Sequence, residues 1–552
     1  MAKRNSQSPW FLNSVIYGID IKKFQDSNGD GIGDIRGLCD RLPYLHDLGV
    51  DCLWLLPFFE SPREDNGYDV SNYYGIDPEL GTLDDFIELV RRAGELGIKI
   101  VIDLIVNHTS RKHPWFESAR RDPRSQFRNY YVWSEHIPDV GVSETSIFPG
   151  ADNPLWTFDE AASAFYFHKF YASQPELNTA NPDVKAEILR ICDFWISLGV
   201  SGFRIDALPL LLTDNGKEHA NPGDGQAFME ELAEFITGRL PECLLLGEAN
   251  VQPDQMRQYF GSGNQIPLLF NFRLSCGIFA AIARQSAGPF EEMLATLPEP
   301  PTGCGWVNFL RNFDDFDLSQ IPQSMRDFLL EAYAPEEEMG IFGRGIRRRL
   351  APMLGGDRRK IALAFSCIFS MRGSPLLVAG DEIGLGEDLT AKGRDAVRLP
   401  MAWEPGGKTG GFSTAPVKDL IQRPLNSGPF SFHEVNVQDQ RADEKSLINE
   451  VRRLIRHRRD LPHFRGGRFA QFAPDHEATM LHGFHDGSSV LLIAHNFSGK
   501  PAEFSADLTG IIAPRLETIL GTHERLSIEG DRLTLKLPAY GYCWLCTEGS
   551  SG

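Results

Sequence analysis

The chain has 552 residues, 42% hydrophobic and 24% charged, with 75 acidic against 55 basic side chains and a formal net charge of −20. That length implies more than one compact unit. The acidic balance, with no dense lysine and arginine stripe, excludes nucleic-acid binding as a main role and suits a neutral small-molecule substrate.

The first residues, "MAKRNSQSPWFLNSVIYG", carry two basic side chains but no apolar core of a secretory leader. No apolar run reaches membrane-spanning length, so a cytoplasmic location without membrane contact is the expectation. Nine scattered cysteines, an odd number, fit reduced thiols. Cys543 and Cys546 form a C-x-x-C, but in an apolar-aromatic stretch, where neither redox nor zinc chemistry is expected.

The first strand is expected in "SVIYGIDIKKF". Directly after it, "DSNGDGIGD" places oxygen donors at alternating positions of a tight turn. Asp26, Asn28, Asp30, the Ile32 carbonyl and Asp34 match positions one, three, five, seven and nine of a calcium loop, with Gly31 at the sharp turn. Position twelve is Gly37 rather than Glu, so this is no helix–loop–helix sensor. An unmetallated Asx-rich turn is the alternative.

Further apolar runs follow: "CLWLLPF", "IKIVIDLIVNH", "GFRIDAL", "CLLLGEAN", "IPLLFNF", "WVNFLRNF" and "SPLLVAGDEIG". Amphipathic segments such as "LDDFIELVRRAGELG" separate most of them. Apolar strands alternating with helices predict a parallel sheet, and eight strands fit an α/β fold of the (β/α)8 TIM-barrel type. A doubly wound sheet is the runner-up, without a G-x-G-x-x-G after the first strand to support it.

The barrel is expected over residues 10–107 and 180–462. An aromatic, Pro-rich insertion after strand three spans 108–179. A second insertion, roughly 316–360, follows strand seven. From about 463 to 548 short alternating runs predict a C-terminal antiparallel β-sandwich, and "EGSSG" reads as a disordered tail. The aromatics of the first insertion are expected mostly as its core.

In such barrels the site lies at the strand C-terminal ends. Those ends carry Asp69, then Asp103, Asn107 and His108, then Arg204 and Asp206, then Glu248, then Asp314 and Asp315. Each alone reads as a helix cap or an ion-pair member. Together, carboxylates from several strands at one mouth are the equipment of glycoside hydrolysis.

"DLIVNH", "GFRIDAL", "GEAN" and "FLRNFDD" resemble the short catalytic regions of glycoside hydrolase family 13, the α-amylase family. "QPELN" resembles that family's fifth region, and "GYDVSNYYGIDPELGTLDDF" and "GIRRRLAPMLGGDRRKI" extend the likeness across roughly residues 10–405. It is strongest to members that interconvert maltose and trehalose by intramolecular glucosyl transfer.

The resemblance implies Asp206 as nucleophile, Glu248 as acid/base and Asp314 as transition-state stabiliser. Arg204 would keep Asp206 ionised, while Glu248 must hold a proton near neutrality. Tyr68, Asp69, His108 and Arg398 would contact the donor sugar. The resemblance also implies calcium, or magnesium, in the Asp26–Asp34 loop, and leaves Asn107 and Glu176 for a second ion. Glu176 stands where the family has Asp.

Phe313 stands where the family has His between the Asn and Asp of "RNFDD". Losing that donor implies weaker glucose binding, at a cost of about 1–3 kcal/mol for an unpaired hydroxyl, or a modified donor sugar. The expected function is that of a retaining α-glycosidase or transglycosidase on small α-linked oligosaccharides. The alternatives are an α-glucosidase or transglucosidase of different specificity and an inactive binding relative. Homo-oligomerisation is left open.

Overall fold

The computed structural model describes residues 9–137, 155–212, 224–487, 489–511 and 515–547. The expected tail Glu548–Gly552 and part of the first insertion lie outside them.

Eight parallel strands close into a barrel in sequence order: β1 (Ile16–Ile19), β2 (Cys52–Leu55), β3 (Lys99–Leu104), β4 (Gly202–Ile205), β5 (Leu244–Gly247), β6 (Leu268–Phe270), β7 (Gly305–Asn308) and β8 (Ser374–Val378). Every residue of β2, β4, β5 and β7 is buried, which is why they read as unbroken apolar runs. The intervening helices carry their own stop and start signals. Thr82 and Asp85 form a capping box ahead of Leu83–Glu95, and Asn181 caps Pro182–Ser197 with Pro at the first turn.

Compactness divides the chain into two units, residues 18–42 with 52–270 and residues 1–17, 43–51 and 271–552. In the first unit, β3, β4 and β5 run in a register that pairs Asp103 with Arg204 and Arg204 with Leu246. Beyond β3 lies a small antiparallel sheet of Trp133–Ser134, Ala164–Phe167 and Trp156–Asp159. Its core is aromatic: Trp156 and Phe167 are buried, and Phe116 stacks on Trp133 with ring centroids 5.4 Å apart.

In the second unit β7 ends at Asn308, which pairs with Pro375 of β8. Asp314 and Asp315 lie in the loop beyond β7, not at the strand end. That loop continues into a three-stranded sheet, Phe316–Asp317, Gly345–Ile346 and Gly340–Ile341, and the helix Gln323–Tyr333. The C-terminal module has two antiparallel sheets, of five and three strands. Leu481, Leu492 and Leu545 of one sheet share a core with Phe504 and Leu535 of the other.

Cys543 and Cys546 both sit on the strand Tyr542–Thr547. Three positions apart, they point to opposite faces and cannot chelate together. No cysteine is in a disulfide. Among the described residues, no helix is long and apolar enough to cross a membrane.

Candidate active site

Arg204 organises the site in the first unit. Cross-strand pairing puts it beside Asp103, and period-two alternation puts Asp206 on its own side of β4. Its Nη1 donates to Asp103 Oδ1 at 2.7 Å and to Asp206 Oδ1 at 2.5 Å, and its Nη2 lies 2.7 Å from Glu248 Oε2. The backbone ladder runs on past both strands: Asp206 N–H donates to the Leu104 carbonyl and Glu248 N–H to the Ile205 carbonyl.

Exposure rises outward across this group. The side chains of Asp103 and Arg204 are 0% and 3% exposed, that of Asp206 10% and that of Glu248 24%. The two outer carboxyls can meet a ligand, while the inner pair is scaffold. Trp54 completes the floor, with Nε1 3.3 Å from Asp103 Oδ2 and its ring 5.3 Å from the Arg204 guanidinium. Ala207 takes a left-handed conformation, φ 45°, uncommon for a residue with a β-carbon. That turn aims its N–H at Glu248 Oε2, 3.3 Å away.

Three carboxylates share one guanidinium. Burial, with Asp206 and Glu248 nearby, pushes the Asp103 carboxyl up to about 7 although Arg204 pulls it down. Burial works against the Arg204 charge, but Asp103, Glu248 and Asp206 outweigh it and hold the group cationic.

Asp69 is fully buried and faces its own loop. Oδ1 accepts from Ser61 Oγ and the Asp65 N–H, and Oδ2 from the Glu64 N–H at 2.8 Å. His108, 2% exposed, directs Nε2 to the Tyr68 carbonyl at 3.1 Å, and burial pushes its imidazole down to about 4. Tyr68 and His108 are thus joined by a hydrogen bond, and Asp69 is fixed within the loop after β2. Asn107 and Glu176 are buried and joined through the backbone, Leu177 N–H to the Asn107 carbonyl at 2.8 Å.

In the second unit, Arg398 Nε donates to Asp314 Oδ1 at 2.6 Å. Arg394 Nε stands 3.5 Å from the other oxygen, Oδ2. Burial would raise the Asp314 carboxyl, but Arg398 and Arg394 hold it below its ordinary value. Arg394 was not anticipated from the sequence; its place four residues before Arg398 was the available signal. Asp315 goes the other way, up to about 8, through burial and the charges of Asp317 and Asp314. Phe313 is 6% exposed, its N–H bonded to Asn312 Oδ1 and its carbonyl to Arg311 Nη2.

Among the described residues, no three His, Cys, Asp or Glu side chains converge into a metal cluster. The Asp26–Asp34 loop offers a mixed oxygen set instead. Asp26 accepts the N–H groups of Asn28, Gly29 and Gly31, and Asp30 that of Ile32. Asp34 accepts from Ser27 and Gly37. Each carboxylate has about four acceptor sites, so bracing the turn is compatible with holding a hard cation. An oxygen-only donor set fits calcium or magnesium.

The family model for the α-amylase catalytic domain matches residues 18–297 and 340–467. The trehalose synthase/amylase TreS of Mycobacterium tuberculosis is 38% identical over 546 residues, covering 97% of this chain and 90% of that protein. The trehalose synthase of Thermus thermophilus is 40% identical over 489 residues, 88% of this chain and 50% of that protein. Among solved structures, the α-amylase from H. orenii superposes with a TM-score of 0.78 at 26% identity, covering 97% of this chain and 100% of that one. On this evidence the chain belongs to the α-amylase family, as a glycoside hydrolase or transglycosidase.

Proposed function

We propose that the chain isomerises small α-glucosides, interconverting maltose and trehalose by moving a glucosyl unit within one bound pair of sugars. Asp206 attacks the anomeric carbon as the glycosidic C–O bond breaks, and Glu248 gives its proton to the departing oxygen. In the second half the freed sugar turns, and another of its hydroxyls attacks the same carbon. Glu248 takes that hydroxyl's proton and Asp206 leaves, so two inversions give net retention. Asp314 stabilises the cationic transition state.

The observation that carries this reading is the Arg204 cluster. One guanidinium holds Asp206 and Glu248 together, both side chains partly open to solvent. The names of the relatives from Mycobacterium tuberculosis and Thermus thermophilus support trehalose as substrate or product.

Residues 108–179 serve in this reading as a subdomain beside the site, and 463–548 as a separate module. Tyr68, Asp69, His108 and Arg398 act as the donor-sugar frame, with the loop after β2 as its support. Calcium, or magnesium, sits in the Asp26, Asn28, Asp30, Ile32 and Asp34 loop as a structural ion that takes no part in the chemistry.

Phe313 favours a second reading, an α-glucosidase or transglucosidase with a different donor or acceptor. Incubation with maltose, trehalose and sucrose, followed by product identification by NMR, separates the two. Trehalose from maltose with little free glucose supports isomerisation. Glucose alone, or transfer to an outside acceptor, supports the second reading.

A further inference from the structure

We propose that Asp381 is a positioning residue for the glycosidic chemistry, acting through two buried arginines that fix the backbone on both sides of the Asp314–Arg398 contact. The proposal rests on the reading of Asp314 as transition-state stabiliser. Asp381 follows β8, at the start of the short turn Asp381–Ile383. Its Oδ1 accepts from Arg349 Nη2 at 2.6 Å, and its Oδ2 faces Arg311 Nη1 at 4.0 Å. The side chains of Asp381, Arg349 and Arg311 are 5%, 3% and 0% exposed. Gly380 leaves room for this approach: a β-carbon there would stand 3.1 Å from Arg349 Nη2.

Each arginine also ends on the carbonyl that precedes a site residue. Arg311 Nη2 donates to the Phe313 carbonyl at 2.9 Å, in the peptide that leads into Asp314. Arg349 Nη1 donates to the Val397 carbonyl at 3.2 Å, in the peptide that leads into Arg398. Those two site residues then meet, Arg398 Nε donating to Asp314 Oδ1 at 2.6 Å. A further bond ties the two arms together. Arg311 Nε donates at 3.0 Å to the carbonyl of Arg348, the residue before Arg349. One carboxylate thus sets two guanidinium groups, and these set the two stretches of backbone from which the Asp314–Arg398 pair is built.

Stability does not account for the arrangement. A buried ion triad is no better for the fold than apolar side chains of the same volume. Burial pushes the Arg311 guanidinium down to about 10, although Asp381 supports its charge. Among the described residues, Arg311 Nη1 is buried without a hydrogen-bond partner. What the triad supplies is direction. Guanidinium forks hold their acceptors in fixed geometry, and a site group misplaced by about 1 Å can cost about a hundredfold in rate.

The test uses p-nitrophenyl α-glucoside, whose cleavage does not depend on whether the chain makes trehalose. Asp381→Asn keeps an acceptor for Arg349 and removes the charge that Arg311 faces. Its kcat is expected to fall on the order of a hundredfold, with KM within about twofold of the parent, as for an interaction made in the transition state. Arg311→Lys keeps the buried charge and loses the fork on Phe313; it guards against a folding defect and should show the same split. In an Asp314→Asn background neither change should lower kcat much further, because the route through Asp314 is already cut. A crystal structure of Asp381→Asn should show Asp314 and Arg398 drawn apart. An unmoved pair in that structure overturns the proposal, as do losses that multiply with Asp314→Asn, the mark of a merely structural role. Asp314→Asn with the parent's kcat would overturn the reading of Asp314 itself, a result distinct from both.

Discussion

Arg204 and Asp206, two residues apart at the end of β4, meet through Nη1 and Oδ1 at 2.5 Å, and the arginine is 3% exposed. The same guanidinium holds Asp103 and Glu248. Removing it strands three carboxylates in a buried site. Arg204→Met is expected to cost about 3–5 kcal/mol of stability, read as a lowered denaturant midpoint. Arg204→Lys should fold better but lose most of kcat, because a single ammonium cannot serve three partners in fixed directions. A Lys variant with the parent's kcat would contradict this.

Asp103 sits at the pivot of the electrostatics. With its carboxyl at about 7, Asp103 changes charge within the working range, beside the carboxyls of Asp206 and Glu248. Asp103→Asn removes one negative charge, which eases ionisation of the carboxyls that remain. The alkaline limb of the kcat/KM profile should move to lower pH. A profile that keeps its position would show that Asp103 does not communicate with the reacting groups.

Phe313 offers a test of donor identity. If an unpaired sugar hydroxyl is the penalty, Phe313→His should raise kcat/KM for maltose about tenfold, within the range for restoring one buried hydrogen bond. A fall for maltose, with the parent preferring another α-glycoside in a substrate panel, would assign Phe313 to a different donor.

The barrel strands were legible because both-face burial turns each into a short unbroken apolar run, as in the buried residues of β2 and β5. The Arg204–Asp206 pairing was legible from period-two alternation. Its extension to Asp103 was not, because that depends on the register between β3 and β4. Asp69 shows a second limit. Its place after strand two marked it as a site residue, but only coordinates reveal both its oxygens turned onto Ser61, Glu64 and Asp65. The end of β7 at Asn308, ahead of the apolar Phe309 and Leu310, was not legible either, because an apolar run does not mark where strand pairing stops.

Two buried histidines of the second unit contribute to acid sensitivity. His495 Nε2 bonds Ser366 Oγ at 2.9 Å, His482 Nε2 bonds Ser370, and their rings stack at 5.5 Å. Burial pushes His482 down to about 3 and His495 well below its ordinary value. In the unfolded chain both titrate near 6.5. Below that pH the unfolded state binds more protons, so stability falls as pH drops from about 6.5 toward 3. Urea midpoints should decline from pH 7 to 5, less steeply in His482→Gln/His495→Gln. Equal slopes in parent and variant would contradict the assignment.

The Asp26–Asp34 loop predicts a metal effect on stability alone. At a calcium concentration a hundredfold above Kd, binding to the folded state is worth about 2.7 kcal/mol, so chelation should lower Tm and calcium should restore it. Asp30→Asn should blunt the restoration. A Tm indifferent to chelator and to calcium would leave the loop as a turn braced by its own Asx hydrogen bonds.

The most direct test of the central claim is to trap the glycosyl-enzyme. Glu248→Gln is incubated with a 2-fluoro-glucosyl fluoride and digested for peptide mass spectrometry. The expected result is one glycosyl adduct on the peptide at Asp206, absent from Asp206→Asn/Glu248→Gln. An adduct on another residue, or its persistence in the double variant, would contradict the assignment of Asp206 as nucleophile.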